Sequence, residues 1–187
     1  MRIITGRAKG IRLDTLAGEA TRPTAERVKE AVFSMLQFDL EGRRVLDLFA
    51  GSGQMGLEAI SRGAREAVLV DKNRDAISIV KKNIAKTKFS EECRPYCMDY
   101  SEYIRRFGGE KFDIVFLDPP YAAGLYAPAL SALLNAQMLK ETSLIVCESD
   151  STAIFGKDEA LASKFSEVKV SRYSKTVITI LTPAKEV

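Results

Sequence analysis

Four residues that could orient an amino group stand directly after an apolar run typical of a buried strand. Asp118, Pro119, Pro120 and Tyr121 follow the segment Phe112–Leu117. An exocyclic amine on a flat ring is a poor nucleophile, because its lone pair is delocalised into the ring. We predict that the Asp118 carboxylate and the Pro119 carbonyl each accept one amine hydrogen, while Tyr121 stacks on the ring. An ordinary proline-rich turn is the alternative.

A glycine-rich loop upstream is typical of a nucleotide-type cofactor site. Gly51, Gly53 and Gly56 satisfy the pattern G-x-G-x-x-G, and Asp71 ends the next apolar run, where a ribose-binding acid belongs. The glycines let the backbone approach a ligand closely, and the start of the following helix provides N–H donors. The pattern alone fits NAD as well as S-adenosylmethionine.

An acid beside this loop distinguishes the two cofactors. Asp47 would repel the pyrophosphate of a dinucleotide and attract the ammonium and sulfonium groups of S-adenosylmethionine. We therefore predict S-adenosylmethionine, with a loop-bracing role for Asp47 as the alternative. Asp99 and Tyr100, after a third apolar run, are predicted to border the adenine, unless Asp99 is simply a helix cap.

Composition excludes several classes of protein. The 187 residues suffice for one well-cored domain with a small appendage. No apolar run is long enough for a membrane span and no signal peptide is evident, so a soluble, cytoplasmic protein is expected. The chain has no histidine, which excludes imidazole as a base or metal ligand. Cys93, Cys97 and Cys147 lack metal or redox spacing and are predicted to be buried, reduced thiols, and no metal is expected.

The net charge of +3 is small, but its distribution is uneven. The start of the chain carries Arg2, Arg7, Lys9 and Arg12 with no acid among them. We predict a short hairpin arm that lays these cations along a phosphate backbone. A second basic stretch, residues 72–88, is interpreted as the solvated face of a helix.

The order of apolar runs predicts an α/β fold. A helix is expected to begin at Pro23 or Thr24, and strands and helices alternate from Arg44 onward. Strands are predicted at 45–50, 67–70, 93–98, 112–117, 144–147, 165–170 and 177–181. The last two are too close for a helix between them, which indicates an antiparallel edge on a doubly wound, Rossmann-like, mostly parallel sheet. We predict the arm at residues 1–20 and the catalytic domain at 21–187.

These features together resemble the class I methyltransferases that act on exocyclic amines, and most closely the RsmD family. Four segments carry the resemblance in the same order: the basic start, residues 21–33 (TRPTAERVKEAVF), residues 47–59 (DLFAGSGQMGLEA) and residues 118–121 (DPPY). Members of that family are bacterial 16S ribosomal RNA guanine-N2 methyltransferases. The resemblance covers essentially the whole chain. Gln54 and Met55 depart from it, since many relatives have smaller or simpler apolar residues at these two positions.

The resemblance implies a role for each matching residue. Those expected to hold the methionine end of S-adenosylmethionine are Asp47, Phe49, Gly51 and Gly53. Asp71 would take the ribose, Asp99 and Tyr100 the adenine, and the segment 118–121 the extruded guanine. Arg22 and Thr24 would lie beside the cofactor and the RNA.

The implied activity is methyl transfer from S-adenosylmethionine to guanine N2 in small-subunit ribosomal RNA. The substrate is expected to be an assembling or assembled small subunit, and the enzyme a monomer. Three alternatives stay open at this point. They are methylation of adenine N6 or cytosine N4 in RNA or DNA, a non-catalytic ribosome-assembly factor, and an NAD-dependent dehydrogenase.

Overall fold

Helices and strands alternate along the chain from Pro23 onward in the computed structural model, which describes residues 1–16, 23–120 and 123–185. The helices are α1 (Pro23–Met35), α2 (Gln54–Ser61), α3 (Arg74–Thr87), α4 (Tyr100–Arg106), α5 (Tyr126–Asn135) and α6 (Glu159–Ala162). The strands are β1 (Arg44–Asp47), β2 (Glu66–Asp71), β3 (Cys93–Cys97), β4 (Phe112–Leu117), β5 (Leu139–Ser149), β6 (Phe165–Tyr173) and β7 (Thr176–Pro183). None of the described helices is long and apolar enough to cross a membrane.

The strand order is β3-β2-β1-β4-β5-β7-β6. The chain forms two compact units, Met1–Asp99 and Tyr100–Val187. In the first unit β1, β2 and β3 pair in parallel. In the second, β4 and β5 are parallel, while β7 pairs antiparallel with both β5 and β6. The predicted mostly parallel α/β sheet with an antiparallel C-terminal edge is confirmed, whereas the predicted division at residue 20 stays a prediction.

In the first unit, α2 and α3 bury their apolar stripes against the parallel strands. Gly56 allows the close approach of α2 to β2, because a Cβ at this position would lie 2.4 Å from the Leu69 side chain. On α3, Val80 and Ile84 are buried, while the lysines of the second basic stretch that lie on this helix, Lys81, Lys82 and Lys86, are exposed. The interpretation of that stretch as a solvated helix face is therefore confirmed for α3.

Three element boundaries differ from the prediction for local reasons. β1 ends at Asp47 rather than at residue 50, because the chain then turns and the Gly53 N–H donates to the Ala50 carbonyl at 2.7 Å. α2 begins at Gln54 rather than at Leu57, where the end of the glycine pattern at Gly56 predicts its start. β5 is longer than residues 144–147, because it pairs with β4 on both sides of an irregularity in register.

The cysteines differ in exposure. Cys93 and Cys147 are buried, and burial raises the pKa of each thiol to about 12. Cys97 is exposed at the end of β3, the strand at one edge of the sheet. The prediction of three buried thiols is therefore wrong for Cys97.

Candidate cofactor and substrate sites

The glycine loop lies between the end of β1 and the start of α2 and is held by Asp71. Gly51 and Gly53 have φ angles of 52° and 79°, in the left-handed region that favours glycine. The Gly51 N–H donates to Asp71 Oδ2 at 2.9 Å, and the Asn73 N–H donates to Asp71 Oδ1 at 2.8 Å. Because each carboxylate oxygen accepts more than one hydrogen bond, Asp71 can brace the loop and still receive a ligand hydroxyl.

Asp47 is buried in the same loop region with an unpartnered oxygen. It is 2% exposed, and backbone groups of Phe49 and Gly56 hydrogen-bond its carboxylate. Burial and, to a smaller degree, the nearby charge of Asp71 raise the pKa of Asp47 to about 7. Within the described residues, Asp47 Oδ2 has no hydrogen-bond partner, and the same holds for Gln54 Oε1 at the start of α2. Two buried acceptors without donors fit a ligand that brings a cationic N–H group.

Asp99 and Tyr100 lie where β3 passes into α4. Both are half-buried, and Tyr100 is the first residue of α4. Asp99 thus stands directly before a helix, where a capping acid is common. The position is compatible with both predicted roles, a helix cap and a contact to the adenine.

The predicted amine-orienting segment follows β4 in the second unit. β4 is buried along its whole length, as expected for a strand of a parallel sheet with both faces covered. The chain then emerges, with Asp118 exposed, Pro119 buried and Pro120 exposed. The Ala123 N–H donates to the Pro120 carbonyl at 2.9 Å. Tyr121 lies outside the described residues.

The basic start forms a hairpin-like arm, residues 1–14. Its two legs meet in a single antiparallel bridge between Arg2 and Arg12. Arg2 pairs with Glu26 at 2.6 Å.

The other cations of the arm differ in what they contact. Arg7 pairs with Glu92 at 2.9 Å, and its guanidinium lies 5.0 Å from the centre of the Phe89 ring. Lys9 and Arg12 are exposed and make no ion pair with any described residue. Of the other predicted RNA contacts, Arg22 and the side chain of Thr24 lie outside the described residues.

A buried carboxylate on α2 anchors the arm. Glu58 is 0% exposed and accepts the backbone N–H groups of Ile4 and Thr5 at 2.8 and 3.0 Å. Arg62 Nε donates to it at 2.8 Å, and Lys29 Nζ lies 3.4 Å away. Burial lowers the pKa of Lys29, although the charge of Glu58 opposes this shift. The arm is therefore docked on an ionic cluster inside the first unit.

Ser61, one turn further along α2, fastens the tip of the arm. Its hydroxyl donates to the Thr5 carbonyl at 2.6 Å and accepts the Ala8 N–H at 3.0 Å. Its carbonyl accepts the Arg7 N–H at 2.8 Å. Because α2 runs from the glycine loop back toward the start of β2, the tip lies at the opposite edge of this unit's strands from that loop, roughly 12 Å away for eight helical residues.

Asn83, buried on α3, connects the end of the arm to the glycine loop. Its side-chain oxygen accepts the Asp14 N–H at 2.8 Å. Its side-chain nitrogen donates to the carbonyls of Asp14 and Ser52 at 3.0 and 2.9 Å. Sequence reasoning missed both Asn83 and Glu58. The available signal was a polar residue inside an apolar helix stripe, which indicates a buried partner.

The geometry thus places Asp47, Gly51, Gly53 and Asp71 in one loop region of the first unit, while Asp118 and Pro119 stand after β4 in the second. Comparisons with known proteins identify the family of this chain. A model of the family described as Conserved hypothetical protein 95 matches residues 1–182.

Three similar proteins illustrate the relationship. The putative rRNA methyltransferase YlbH of Bacillus subtilis is 39% identical over 80% of this chain and 83% of its own length. The ribosomal RNA small subunit methyltransferase D of Haemophilus influenzae is 36% identical over 80% of this chain and 79% of its own. The solved structure of the putative methyltransferase yhhF from Escherichia coli superposes with a TM-score of 0.85 at 28% identity, covering 100% of this chain and 99% of that one. The chain therefore belongs to the RsmD family and has the class I methyltransferase fold.

Proposed function

We propose that this chain transfers a methyl group from S-adenosylmethionine to the N2 amine of a guanine in small-subunit ribosomal RNA. The relatives named as rRNA methyltransferases support methyl transfer to ribosomal RNA. The observation that carries the choice of cofactor is the buried, unpartnered Asp47 oxygen beside the glycine loop. The segment that begins at Asp118 supports an exocyclic amine as the acceptor.

The first unit binds and orients the cofactor in this proposal. S-adenosylmethionine supplies a methyl group activated by a sulfonium. Asp47 Oδ2 accepts a hydrogen bond from the α-ammonium of the methionine end, and the glycines allow the backbone to approach the cofactor closely. Asp71 takes the ribose hydroxyls, and Asp99 and Tyr100 border the adenine.

The second unit orients the guanine. Asp118 and the Pro119 carbonyl each accept one hydrogen of the N2 amine, which directs its lone pair at the methyl group. The N–C bond then forms as the S–C bond breaks, and the surplus proton leaves to Asp118 or to water. The product ammonium is acidic, so no histidine is needed. The two prolines keep the segment rigid, and Tyr121 stacks on the base extruded from the RNA.

The test of the reaction uses isotope-labelled S-adenosylmethionine and small ribosomal subunits that lack their native guanine methylation. After digestion of the RNA, mass spectrometry should find the label in N2-methylguanosine. Label in N6-methyladenosine or N4-methylcytidine would contradict the proposed target atom. No label at all, with cofactor binding confirmed, would favour a non-catalytic assembly factor.

A substitution tests the role of Asp118. Asp118→Asn should lower kcat by about 100-fold or more, because the amine loses an acceptor that aligns it. Binding of S-adenosylhomocysteine should stay unchanged. Asp150→Asn, at an exposed carboxylate directly after β5, is the matched control and should retain activity. Normal turnover of a folded Asp118→Asn variant would rule out the proposed role.

A further inference from the structure

The strand register of the second unit brings the β6–β7 turn to the edge of the sheet at which β4 ends. β4 and β5 run in parallel, with Leu117 opposite Cys147. β7 runs antiparallel to β5, with Val177 opposite Ser149 at the end of β5. The turn that precedes β7 therefore lies at the same edge as Asp118, the residue that follows β4.

The separation along this edge follows from the spacing of strands. β7 and β6 are the second and third strands from β4 in the order of the sheet. With neighbouring strands about 4.8 Å apart, the turn lies about 10 to 15 Å from the end of β4. An RNA strand whose guanine reached Asp118 would pass such a turn within a few nucleotides.

Cations are concentrated on this turn, which we define as the hairpin tip, residues 172–176. Arg172 and Lys175 are exposed and make no ion pair with any described residue. The tip contains no acid, and the acid of the hairpin, Glu167, lies toward its other end. Asp118 follows β4 and Asp150 follows β5 at this edge, but neither belongs to the tip, which itself carries two cations and no acid.

We propose that the hairpin tip binds the phosphate backbone of the RNA next to the target guanine. This inference rests on the proposed function, since it assumes that Asp118 orients an RNA base. Arg172 and Lys175 provide the contacts, because exposed cations without acidic partners exchange their counterions for phosphate at little cost. They would position the strand without reading its sequence.

A charge-matched pair of variants tests the proposal. Arg172→Gln/Lys175→Gln removes both tip cations. Lys164→Gln/Lys185→Gln removes two exposed cations from the opposite end of the same hairpin, where the Ala184 N–H donates to the Lys164 carbonyl. The binding of protein-free 16S ribosomal RNA transcript is measured for both over a range of salt concentrations, together with turnover on undermethylated small subunits.

The tip variant should bind the transcript more weakly than the wild type. Its log–log salt slope should be shallower by about 1.4 to 1.8, since each lost phosphate contact removes about 0.7 to 0.9. KM for the small subunit should rise, while kcat and the affinity for S-adenosylhomocysteine stay unchanged. The control variant should keep the wild-type slope. Equal salt slopes in the two variants would overturn the proposal. Weaker binding of the tip variant to small subunits, with unchanged binding to the protein-free transcript, would also overturn it, because it would indicate a ribosomal protein as the partner.

The binding measurement separates this inference from the proposed function. A wild-type protein that forms no N2-methylguanosine would refute the proposed reaction. The salt slopes on the transcript would still decide whether the hairpin tip contacts RNA.

Discussion

Asp47 shows how one buried residue can link cofactor binding to pH. Its carboxyl is desolvated, which raises its pKa to about 7. Folding therefore disfavours the charged form of Asp47. The resulting loss of folding stability grows as pH rises from 3.8, the ordinary pKa of the group, toward about 7. A cation bound at Oδ2 would favour the charged form and lower the pKa again.

The affinity for S-adenosylhomocysteine should therefore depend on pH through Asp47. Below about pH 7 the carboxyl must release a proton before it pairs with the ligand ammonium, so affinity should rise as much as tenfold per pH unit up to about pH 7 and then level off. Calorimetry in buffers with different ionisation enthalpies measures both the affinity and the released proton. Asp47→Asn should bind more weakly at pH 8 and lose this dependence. An unchanged pH profile in that variant would assign the titration to another group.

At the scale of elements, the arm is held in place by its contacts with α2. Gly6 has a φ of 88° and would place a Cβ 1.8 Å from the Ser61 carbonyl oxygen. Gly10 has a similar φ of 86°, but a Cβ there would meet nothing within 4 Å. The two glycines share the same backbone requirement and differ in whether docking leaves space for a side chain.

Gly6→Ala is expected to undock the arm, whereas Gly10→Ala should only strain its turn. The cost of Gly10→Ala should be about 1 to 2 kcal/mol, the cost of a left-handed conformation for a residue with a Cβ. Gly6→Ala should cost more and remove the hydrogen-exchange protection of the Ile4 and Thr5 amides, which donate to Glu58. Equal protection of these amides in both variants would show that the arm accommodates the methyl group without moving.

The sequence predicts an element well when the residues that determine it are adjacent in the chain, and poorly when they are distant. β4 lies at residues 112–117 as predicted, because glycine and charged residues precede the apolar run and two prolines follow it, so both ends are defined locally. The contacts of Glu58 with Ile4 and of Asn83 with Asp14 span 54 and 69 residues of sequence, so no local pattern identifies their partners. For the candidate site, Asp47 and Asp71 were predicted from spacing, whereas the unpartnered state of Asp47 Oδ2 required the packing around it.

At the scale of the whole molecule, unpaired cations rather than net charge indicate where RNA would bind. Arg2 and Arg7, two of the four cations predicted in the arm, already pair with Glu26 and Glu92. Lys9 and Arg12 keep their charges exposed and unpaired within the described residues. The arm's share of RNA binding should therefore come mainly from those two.

Lys9→Gln/Arg12→Gln should flatten the salt dependence of transcript binding by about 1.4 to 1.8 in log–log slope. Lys81→Gln/Lys82→Gln, on the exposed face of α3, makes the same change of charge and should leave the slope near that of the wild type. Filter binding or fluorescence anisotropy at several salt concentrations measures both. If the salt slope of the α3 variant fell as much as that of the arm variant, the salt dependence would reflect positive charge spread over the surface rather than phosphate contacts made by the arm.

The docking of the arm on Glu58 and Ser61 also limits which insertions and exchanges of segments the sequence can tolerate. The two residues are three positions apart, so they share a face of α2. One residue inserted between them would rotate Ser61 by about 100° relative to Glu58 and separate the two anchor points. The arm and α2 are far apart in sequence, but a change in one is therefore tolerated only when the other still fits it. A chimera that exchanges the arm between relatives should keep its fold only when α2 is exchanged with it.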